Sequence, residues 1–339
     1  MPIALVIGAS RGLGLELAKN LHSKNFQVFA TMRSPERHIR KDLKQAGAEL
    51  SDEINIVPSI DLAQEDAGER IVTYLKSELG LGVGEEKQLD LVIMNAGVFK
   101  SDTLEEPNFE NLLEMHKVVS IAPFMVASHL VRSSLLAKPS KFILITSEGG
   151  SIALRTKEEG AGNYGHHSSK AAANMVGKLL ANDLMDKEIT VGMIHPGFMK
   201  TDMTKGVGYD KFYESGGAVE ASEAAETTVE FILNELPHRL TGSFWAPRGP
   251  RDIGQAERVL VPIMGKDLPT PLPLPCLSVF ACDNLDLGCI DKVVAFHLKR
   301  SVLDDKSPNV VAKTMLLKIR RHEKHRYLLE NLHGQLRRN

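Results

Sequence analysis

The amino-acid sequence predicts an α/β protein with a doubly wound parallel sheet in a single domain, followed by a C-terminal extension. Short apolar runs rich in β-branched residues alternate with longer amphipathic stretches from the start to about residue 250. The runs are apolar on both faces, which is typical of strands in a parallel sheet covered by helices on both sides. A chain of 339 residues with 43% hydrophobic content is long enough to bury such a core.

Seven apolar runs are the candidate strands of this sheet. They occupy residues 3–9, 27–32, 54–60, 89–95, 141–146, 189–195 and 241–247. Helical patterns lie between them, as in residues 15–24 and 67–79. Strands that alternate with helices in this way predict crossover connections and a parallel order.

The predicted domain ends at residue 262, and two further segments follow it. Residues 263–276 form a proline-rich linker, because the four prolines between 268 and 276 exclude helix and central strand. Residues 277–339 form a basic tail, partly helical or disordered, with 12 Lys and Arg against 5 Asp and Glu from residue 291 onward. One hypothesis is a basic helix for an acidic partner or membrane surface, and the other is a solvated or disordered segment.

Composition narrows the classes of partner. A formal net charge of −2 gives no electrostatic case for nucleic acid, and no stretch is long and apolar enough for an integral membrane protein. The three cysteines, at positions 276, 282 and 289, indicate a reducing, cytoplasmic compartment and match no metal-site spacing. We therefore expect a small-molecule substrate and no metal, and the sequence leaves a homo-oligomer open.

A glycine motif follows the first candidate strand and opens a helical pattern. Gly8, Gly12 and Gly14 form G-x-x-x-G-x-G. This placement provides a tight turn, close backbone approach to a pyrophosphate, and free N–H groups at a helix N-terminus. The motif therefore predicts a dinucleotide site, although glycines before a helix also serve ordinary turns.

Further motifs occur in a fixed order along the chain. The run GASRGLG at residues 8–14 precedes Asp61, and Asn95-Ala96-Gly97, Ser147, Lys170 and Pro196-Gly197 follow it. In this order and spacing the chain resembles the short-chain dehydrogenase/reductase superfamily from residue 1 to about 260. The resemblance implies a Rossmann-type fold, a nicotinamide cofactor and a carbonyl or alcohol substrate.

The resemblance also implies which residues contact the cofactor. Those residues are Gly8, Ser10, Arg11, Gly12, Leu13, Gly14, Arg33, Asp61, Leu62, Asn95, Gly97, Lys170, Pro196, Gly197, Met199 and Thr201. Arg11 and Arg33 fall where the 2′-position of the adenosine ribose should lie. Arginine suits a 2′-phosphate, and no carboxylate follows the second strand, so we predict NADP(H) in preference to NAD(H).

The catalytic set departs from the family pattern. In the family a Tyr and a Lys, four residues apart on one helix face, act with a Ser and an Asn. Here Ser147 and Lys170 match, but His166 stands at the tyrosine position and Val119 at the asparagine position. Valine is expected neither to bend its helix nor to anchor a relay water.

Two residues are candidates to replace the tyrosine. His166 shares the Lys170 face and can exchange a proton or donate a hydrogen bond. Tyr164 lies six residues before Lys170, rotated by about 240°, so it faces elsewhere and should not simply substitute, although it could still line the substrate pocket or touch the cofactor. His167 could reach the same cleft or lie exposed, and His195 is expected to end the sixth strand.

Three functions remain open from the sequence. The first is an NADP(H)-dependent oxidoreductase with the atypical set Ser147, His166 and Lys170. The second is a cofactor-binding catalyst of a non-redox step, and the third is a redox-dead NADP(H)-binding partner protein.

Residues 202–220 hold glycines and aromatic residues that suit a mobile cover over an apolar ligand.

Overall fold

The structure is a computed structural model that describes residues 1–35, 53–79, 87–136, 139–152, 154–155 and 162–246. The predicted domain end at residue 262, the linker 263–276 and the tail 277–339 lie outside the described residues. The three cysteines lie there as well. These assignments therefore stay predictions.

A seven-stranded parallel sheet forms the centre of the described chain, as predicted. In chain order its strands are β1 (Ile3–Ile7), β2 (Gln27–Thr31), β3 (Asn55–Val57), β4 (Leu91–Met94), β5 (Ser140–Ile145), β6 (Ile189–Ile194) and β9 (Ser243–Trp245). Their order across the sheet is β3-β2-β1-β4-β5-β6-β9. Each coincides with one of the seven apolar runs, and only β5 begins one residue before its run, so the fold class predicted from the sequence is confirmed. Two short strands, β7 (Met199–Lys200) and β8 (Val219–Glu220), pair in parallel outside this sheet.

Seven α-helices accompany the strands. They are α1 (Gly12–Ser23), α2 (Ala67–Glu78), α3 (Phe109–His116), α4 (Ala122–Arg132), α5 (Tyr164–Leu184), α6 (Asp202–Gly206) and α7 (Ala221–Glu230) among the described residues. A π-helical turn, Lys117–Ile121, joins α3 to α4. Among the described residues, none of these helices is long and apolar enough to cross a membrane.

The sheet is buried on both faces, because successive strand residues point to opposite sides. On one face, Leu5 and Phe29 belong to a core that includes Ile71 and Leu75 of α2. On the other face, Val6 belongs to a core with residues of α1 and α7. This two-sided burial explains why the strands have no polar alternation.

The order of the strands reverses beside β1, which pairs with β2 on one side and with β4 on the other. The connections that leave β1 and β4 therefore diverge at their carboxyl ends. In open α/β sheets a ligand crevice forms at this kind of switch point. The fold thus positions a site after β1 and β4.

Candidate active site

A cavity of about 1030 Å³ opens at the carboxyl ends of the parallel strands. Most of the residues that the sequence singled out contribute to its wall. They are Gly8, Ser10, Arg11, Gly12, Leu13, Arg33, Asp61, Leu62, Asn95, Gly97, Ser147, His166, Lys170, Pro196, Gly197, Met199 and Thr201. Segments far apart in sequence therefore meet because each follows a strand of one sheet.

The glycine loop is shaped by close backbone contacts. Gly8 has φ +81°, and a Cβ there would lie 2.7 Å from the Cα of Ala96. A Cβ on Gly14 would lie 2.1 Å from the carbonyl oxygen of Gly8. Gly14 is not among the described residues that line the cavity. The structure thus gives Gly14 a packing role beneath the loop, and its contact with the cofactor stays a prediction.

Asn95 fastens the glycine loop to the end of β4. Its Nδ2 donates a 2.9 Å hydrogen bond to the carbonyl oxygen of Gly8. The backbone N–H of Gly8 donates in turn to Thr31 Oγ1 at 3.0 Å. The loop is therefore held from β2 and β4, which fixes its shape before any ligand arrives.

The two arginines lie on the cavity wall near the end of β2. Arg33 follows β2 and is exposed, and Arg11 is the residue before α1. Arg11 Nη1 lies 3.6 Å from the Asp202 carboxylate, with both side chains largely exposed. An exposed pair of this kind contributes little to stability, so Arg11 can exchange partners at small cost.

Ser147 follows β5 and presents its hydroxyl to the cavity. Its Oγ accepts a 3.0 Å hydrogen bond from the backbone N–H of Gly149, which leaves its own O–H to donate. A Cβ on Gly149 would lie 3.2 Å from both Ser147 Oγ and His166 Cε1. The serine hydroxyl and the imidazole therefore flank the same small space.

Lys170 is buried on α5, with its ammonium group beneath the cavity. Its Nζ donates a 2.9 Å hydrogen bond to the carbonyl oxygen of Ile145. Burial lowers the pKa of Lys170 from 10.5 to about 8. The side chain is therefore still mainly cationic at neutral pH, with further N–H donors for a ligand.

His166 lies one helical turn before Lys170 and also lines the cavity, as the i, i+4 spacing predicts. Its ring stacks on Phe99, with ring centroids 4.1 Å apart. Burial, with the nearby cations Lys170 and Arg155 and the rings of His167 and His195, lowers its pKa from 6.5 to about 3. His166 is therefore neutral at physiological pH.

His167 and His195 both reach the cavity wall. His167 is half-buried, and its Nε2 lies 3.2 Å from Arg155 Nη1. His195 directly follows β6, as predicted, and its Nε2 lies 3.9 Å from Glu148 Oε1. The exposed position considered for His167 is therefore wrong.

Tyr164 does not line the cavity. It is the first residue of α5, its side chain is 48% exposed, and it is absent from the described residues on the cavity wall. The substrate-lining role of Tyr164 stays a prediction, and the structure does not place the residue on the described wall of the cavity. The physical reason is the helical rotation between Tyr164 and Lys170, which directs the tyrosine away from the site.

The helix around Val119 corrects another expectation. Val119 is buried inside the π-helical turn Lys117–Ile121 between α3 and α4. The sequence predicted that valine could not produce a bend, yet the helical hydrogen-bond pattern is interrupted here. The irregularity therefore does not depend on an asparagine at this position.

Aromatic rings form one side of the cavity. Phe99 meets Tyr209 edge-on, with centroids 5.7 Å apart, and Tyr209 in turn contacts Phe198 and Phe212. All four residues line the cavity. Tyr209 and Phe212 belong to segment 202–220, so the expected cover over the site carries an aromatic inner surface.

The cover segment is more regular than its glycines suggested. It begins with α6, where Thr201 and Thr204 form a reciprocal capping box. The Tyr209 hydroxyl accepts a 2.9 Å hydrogen bond from Asn163 Nδ2, just before α5. This hydrogen bond and the ring contacts of Phe99 and Phe198 with Tyr209 hold the segment against the site.

Several residues at the site escaped the sequence-based prediction. Phe99, Glu148, Arg155, Asn163 and Tyr209 were not singled out, although all line the cavity. Two of them carried a usable signal, because Phe99 stands two residues after the Asn95-Ala96-Gly97 motif and Tyr209 lies in the aromatic segment 202–220. The others lie in loops whose contacts depend on the folded chain.

Comparisons with known proteins agree with this architecture. The model of the short chain dehydrogenase family matches residues 2–211. A 1-hydroxy-2-glutathionyl-2-methyl-3-butene dehydrogenase of Rhodococcus sp. (strain AD45) is 29% identical over 237 residues, covering 70% of this chain and 93% of that protein. The 3-oxoacyl-[acyl-carrier-protein] reductase FabG of Escherichia coli (strain K12) is 26% identical over 249 residues, covering 71% and 93%.

Two solved structures share the fold. NADPH-bound carbonyl reductase from chicken fatty liver has a TM-score of 0.62 at 24% identity, covering 73% of this chain and 97% of its own. Carbonyl reductase Sniffer of D. melanogaster has a TM-score of 0.58 at 23% identity, covering 76% and 98%.

The parallel sheet, the glycine loop and the cavity at the strand ends define a doubly wound protein of the dinucleotide-binding class. The chain belongs to the short chain dehydrogenase family. It is an oxidoreductase by family.

Proposed function

We propose that this protein is an NADP(H)-dependent oxidoreductase that interconverts a small carbonyl compound and its alcohol. One observation carries the proposal: Ser147, His166 and Lys170 line the same cavity as the glycine loop. A carbonyl oxygen next to Ser147 and His166 would lie in the same cavity that the glycine loop lines. The proposed catalytic set is therefore Ser147, His166 and Lys170.

The cavity fits NADP(H) on structural grounds. Gly8 and Gly12 line the cavity without side chains, which lets the backbone of the glycine loop approach a pyrophosphate closely. Arg11 and Arg33 supply two cations on the wall next to Thr31 and Met32, which carry no charge. Cationic guanidinium groups favour a 2′-phosphate over a bare ribose hydroxyl. When bound, the reduced nicotinamide would supply hydride to the substrate carbon.

The proposed chemistry of the protein side chains is electrostatic. The Ser147 hydroxyl and a neutral His166 N–H would both donate to the carbonyl oxygen, where negative charge develops during reduction. Lys170, held by the carbonyl oxygen of Ile145, would direct its other N–H donors to the cofactor ribose. A neutral imidazole can polarise a carbonyl group in this way, as it does in triosephosphate isomerase.

The aromatic side of the cavity indicates the class of substrate. Phe99, Phe198, Tyr209 and Phe212 present ring faces and edges to the site. Such a surface favours flat, apolar groups that stack or pack edge-on. We expect an aromatic ketone, aldehyde or quinone to be preferred over a small polar carbonyl compound.

The test is incubation with NADPH and a panel of aromatic and aliphatic carbonyl compounds, with both cofactor absorbance and product mass recorded. NADPH oxidation with formation of the matching alcohol supports the proposal. A converted substrate with unchanged NADPH would indicate the non-redox catalyst instead. NADPH binding without conversion of any compound would indicate the redox-dead binding protein.

A further inference from the structure

The hydroxyl group of Tyr209 lies where the cover segment meets the start of α5, on the aromatic side of the cavity. Tyr209 Oη accepts a 2.9 Å hydrogen bond from Asn163 Nδ2. An amide NH₂ group only donates, so the tyrosine oxygen is the acceptor and its own O–H proton points elsewhere. Both residues are half-buried and line the cavity. The Tyr209 O–H can therefore donate to a ligand.

Asn163 is held in place by its backbone. It has a left-handed conformation, with φ +56°, which asparagine and aspartate adopt more readily than most residues with side chains. Its N–H donates to the carbonyl oxygen of Asp102 at 2.8 Å, and its own carbonyl oxygen accepts from the backbone N–H of His167 at 2.9 Å. A fixed turn, three residues before His166, therefore presents the amide group to Tyr209.

Tyr213, in the same cover segment, uses its hydroxyl group differently. Its Oη donates to the carbonyl oxygen of Thr201 at 3.1 Å and lies 2.8 Å from Thr204 Oγ1. Tyr213 is not among the described residues of the cavity wall. The proton of Tyr213 is thus bound within the protein, whereas Tyr209 Oη donates to no acceptor in the part of the chain that the structure describes.

We infer that Tyr209 is a specificity-determining residue whose O–H donates to a second acceptor oxygen of the substrate, away from the carbonyl group that is reduced. The inference rests on the proposed function for the reacting carbonyl group, but binding of the second oxygen does not require the reaction. The Phe99 ring lies 4.1 Å from the His166 ring and 5.7 Å from the Tyr209 ring, between centroids, so both donors belong to one side of the cavity. The substrate class is therefore an aromatic carbonyl compound with a second acceptor oxygen, such as a diketone or a quinone.

The aromatic surroundings make this donor selective. The rings of Phe99, Phe198 and Phe212 contact the Tyr209 ring, and their side chains carry no acceptor for its O–H. A ligand that fills this part of the cavity displaces water from the hydroxyl group. An acceptor oxygen replaces the lost hydrogen bond, whereas a carbon in the same place leaves the donor unpaired at a cost in binding. A site with such a donor discriminates against analogues that lack the polar group.

The test compares the three diacetylbenzene isomers with the ethylacetophenones of the same ortho, meta or para pattern, which lack the second carbonyl oxygen. For the full-length protein with NADPH, the preference is the ratio of kcat/KM within each pair. Tyr209→Phe should lower this preference about tenfold for at least one pair, because only the diacetyl compound loses a hydrogen bond. Tyr213→Phe makes the same change in the same segment, away from the described cavity wall, and should keep the preference of the unaltered protein.

Asn163→Asp separates recognition of the substrate from simple support of the cover segment. A carboxylate keeps a hydrogen bond between the two side chains but reverses its direction, so that Tyr209 donates to it and has no proton left for a ligand. The preference should therefore fall in Asn163→Asp as it does in Tyr209→Phe. An unchanged preference in either variant overturns the inference.

A binding measurement separates this inference from the proposed function. The Kd of each compound is measured by NMR titration of the protein loaded with NADP⁺, in which no reduction takes place. The ratio of Kd values within a pair should respond to Tyr209→Phe as the kinetic preference does, and an equal ratio in both proteins overturns the inference. If no compound is reduced with NADPH but the Kd ratio depends on Tyr209, only the proposed function fails.

Discussion

The Asp102 carboxylate accepts a 2.6 Å hydrogen bond from the backbone N–H of Tyr164, 62 residues further along the chain. Its second oxygen accepts from the backbone N–H of Gly165 at 2.9 Å. Asp102 is buried and thereby caps the N-terminus of α5, the helix that carries His166 and Lys170. A negative charge at this end of a helix also complements the helix dipole.

Removal of this cap should destabilise the protein and misplace the catalytic helix. In Asp102→Ala the first N–H groups of α5 lose their acceptor, at a cost of about 1–3 kcal/mol for each buried group left unsatisfied. Asp102→Asn retains one oxygen and should recover part of that loss. Urea unfolding measures the change. Equal stability of Asp102→Ala and the unaltered protein would show that the cap is dispensable.

Cofactor preference should depend on Arg33 and Arg11. In Arg33→Ala we expect NADPH affinity to fall about tenfold while NADH affinity stays constant, because only the 2′-phosphate loses a charge-assisted contact. Calorimetry with both cofactors measures this difference. Arg70→Ala is a matched control, since Arg70 pairs with Asp66 on α2 and is not among the described residues of the cavity wall. Tighter binding of NADH than NADPH by the unaltered protein would contradict the assignment.

The glycine loop should tolerate no side chain at Gly14. In Gly14→Ala the new Cβ would lie 2.1 Å from the Gly8 carbonyl oxygen and 2.4 Å from Asn95 Nδ2, so the loop or α1 must shift. We expect loss of NADPH binding and a lower melting temperature. Gly206→Ala is the matched control, because no heavy atom lies within 4 Å of its added Cβ. Normal NADPH affinity in Gly14→Ala would contradict the tight packing.

The stability of the protein should fall as pH falls below 6.5, in part through His166. Its pKa is 6.5 when unfolded and about 3 when folded, so between these values the unfolded chain binds the extra proton. The contribution is complete above pH 6.5 and is lost progressively toward pH 3. His166→Gln should therefore show a shallower loss of unfolding free energy over this range. Parallel pH profiles for the two proteins would contradict the lowered pKa.

The sheet and most of the cavity could be predicted from sequence because they depend on local patterns. Each strand is an apolar run, and the carboxyl ends of parallel strands collect Gly8, Asn95 and Ser147 at one edge. Arg155, by contrast, reaches the cavity wall beside His167 only in the folded chain. The same holds for Asp102, whose partner lies on a distant helix.

The most direct measurement is the rate of NADPH-dependent carbonyl reduction by the unaltered protein, His166→Ala and Tyr164→Phe, compared side by side. His166 lines the cavity one turn from Lys170, whereas the Tyr164 side chain is exposed outside it. We expect kcat to fall by roughly 10²-fold or more in His166→Ala, with NADPH Kd unchanged, and to stay constant in Tyr164→Phe. Reduction that survives in His166→Ala but disappears in Tyr164→Phe would contradict the role given to His166. So would an unaltered protein that reduces nothing until His166 is replaced by tyrosine.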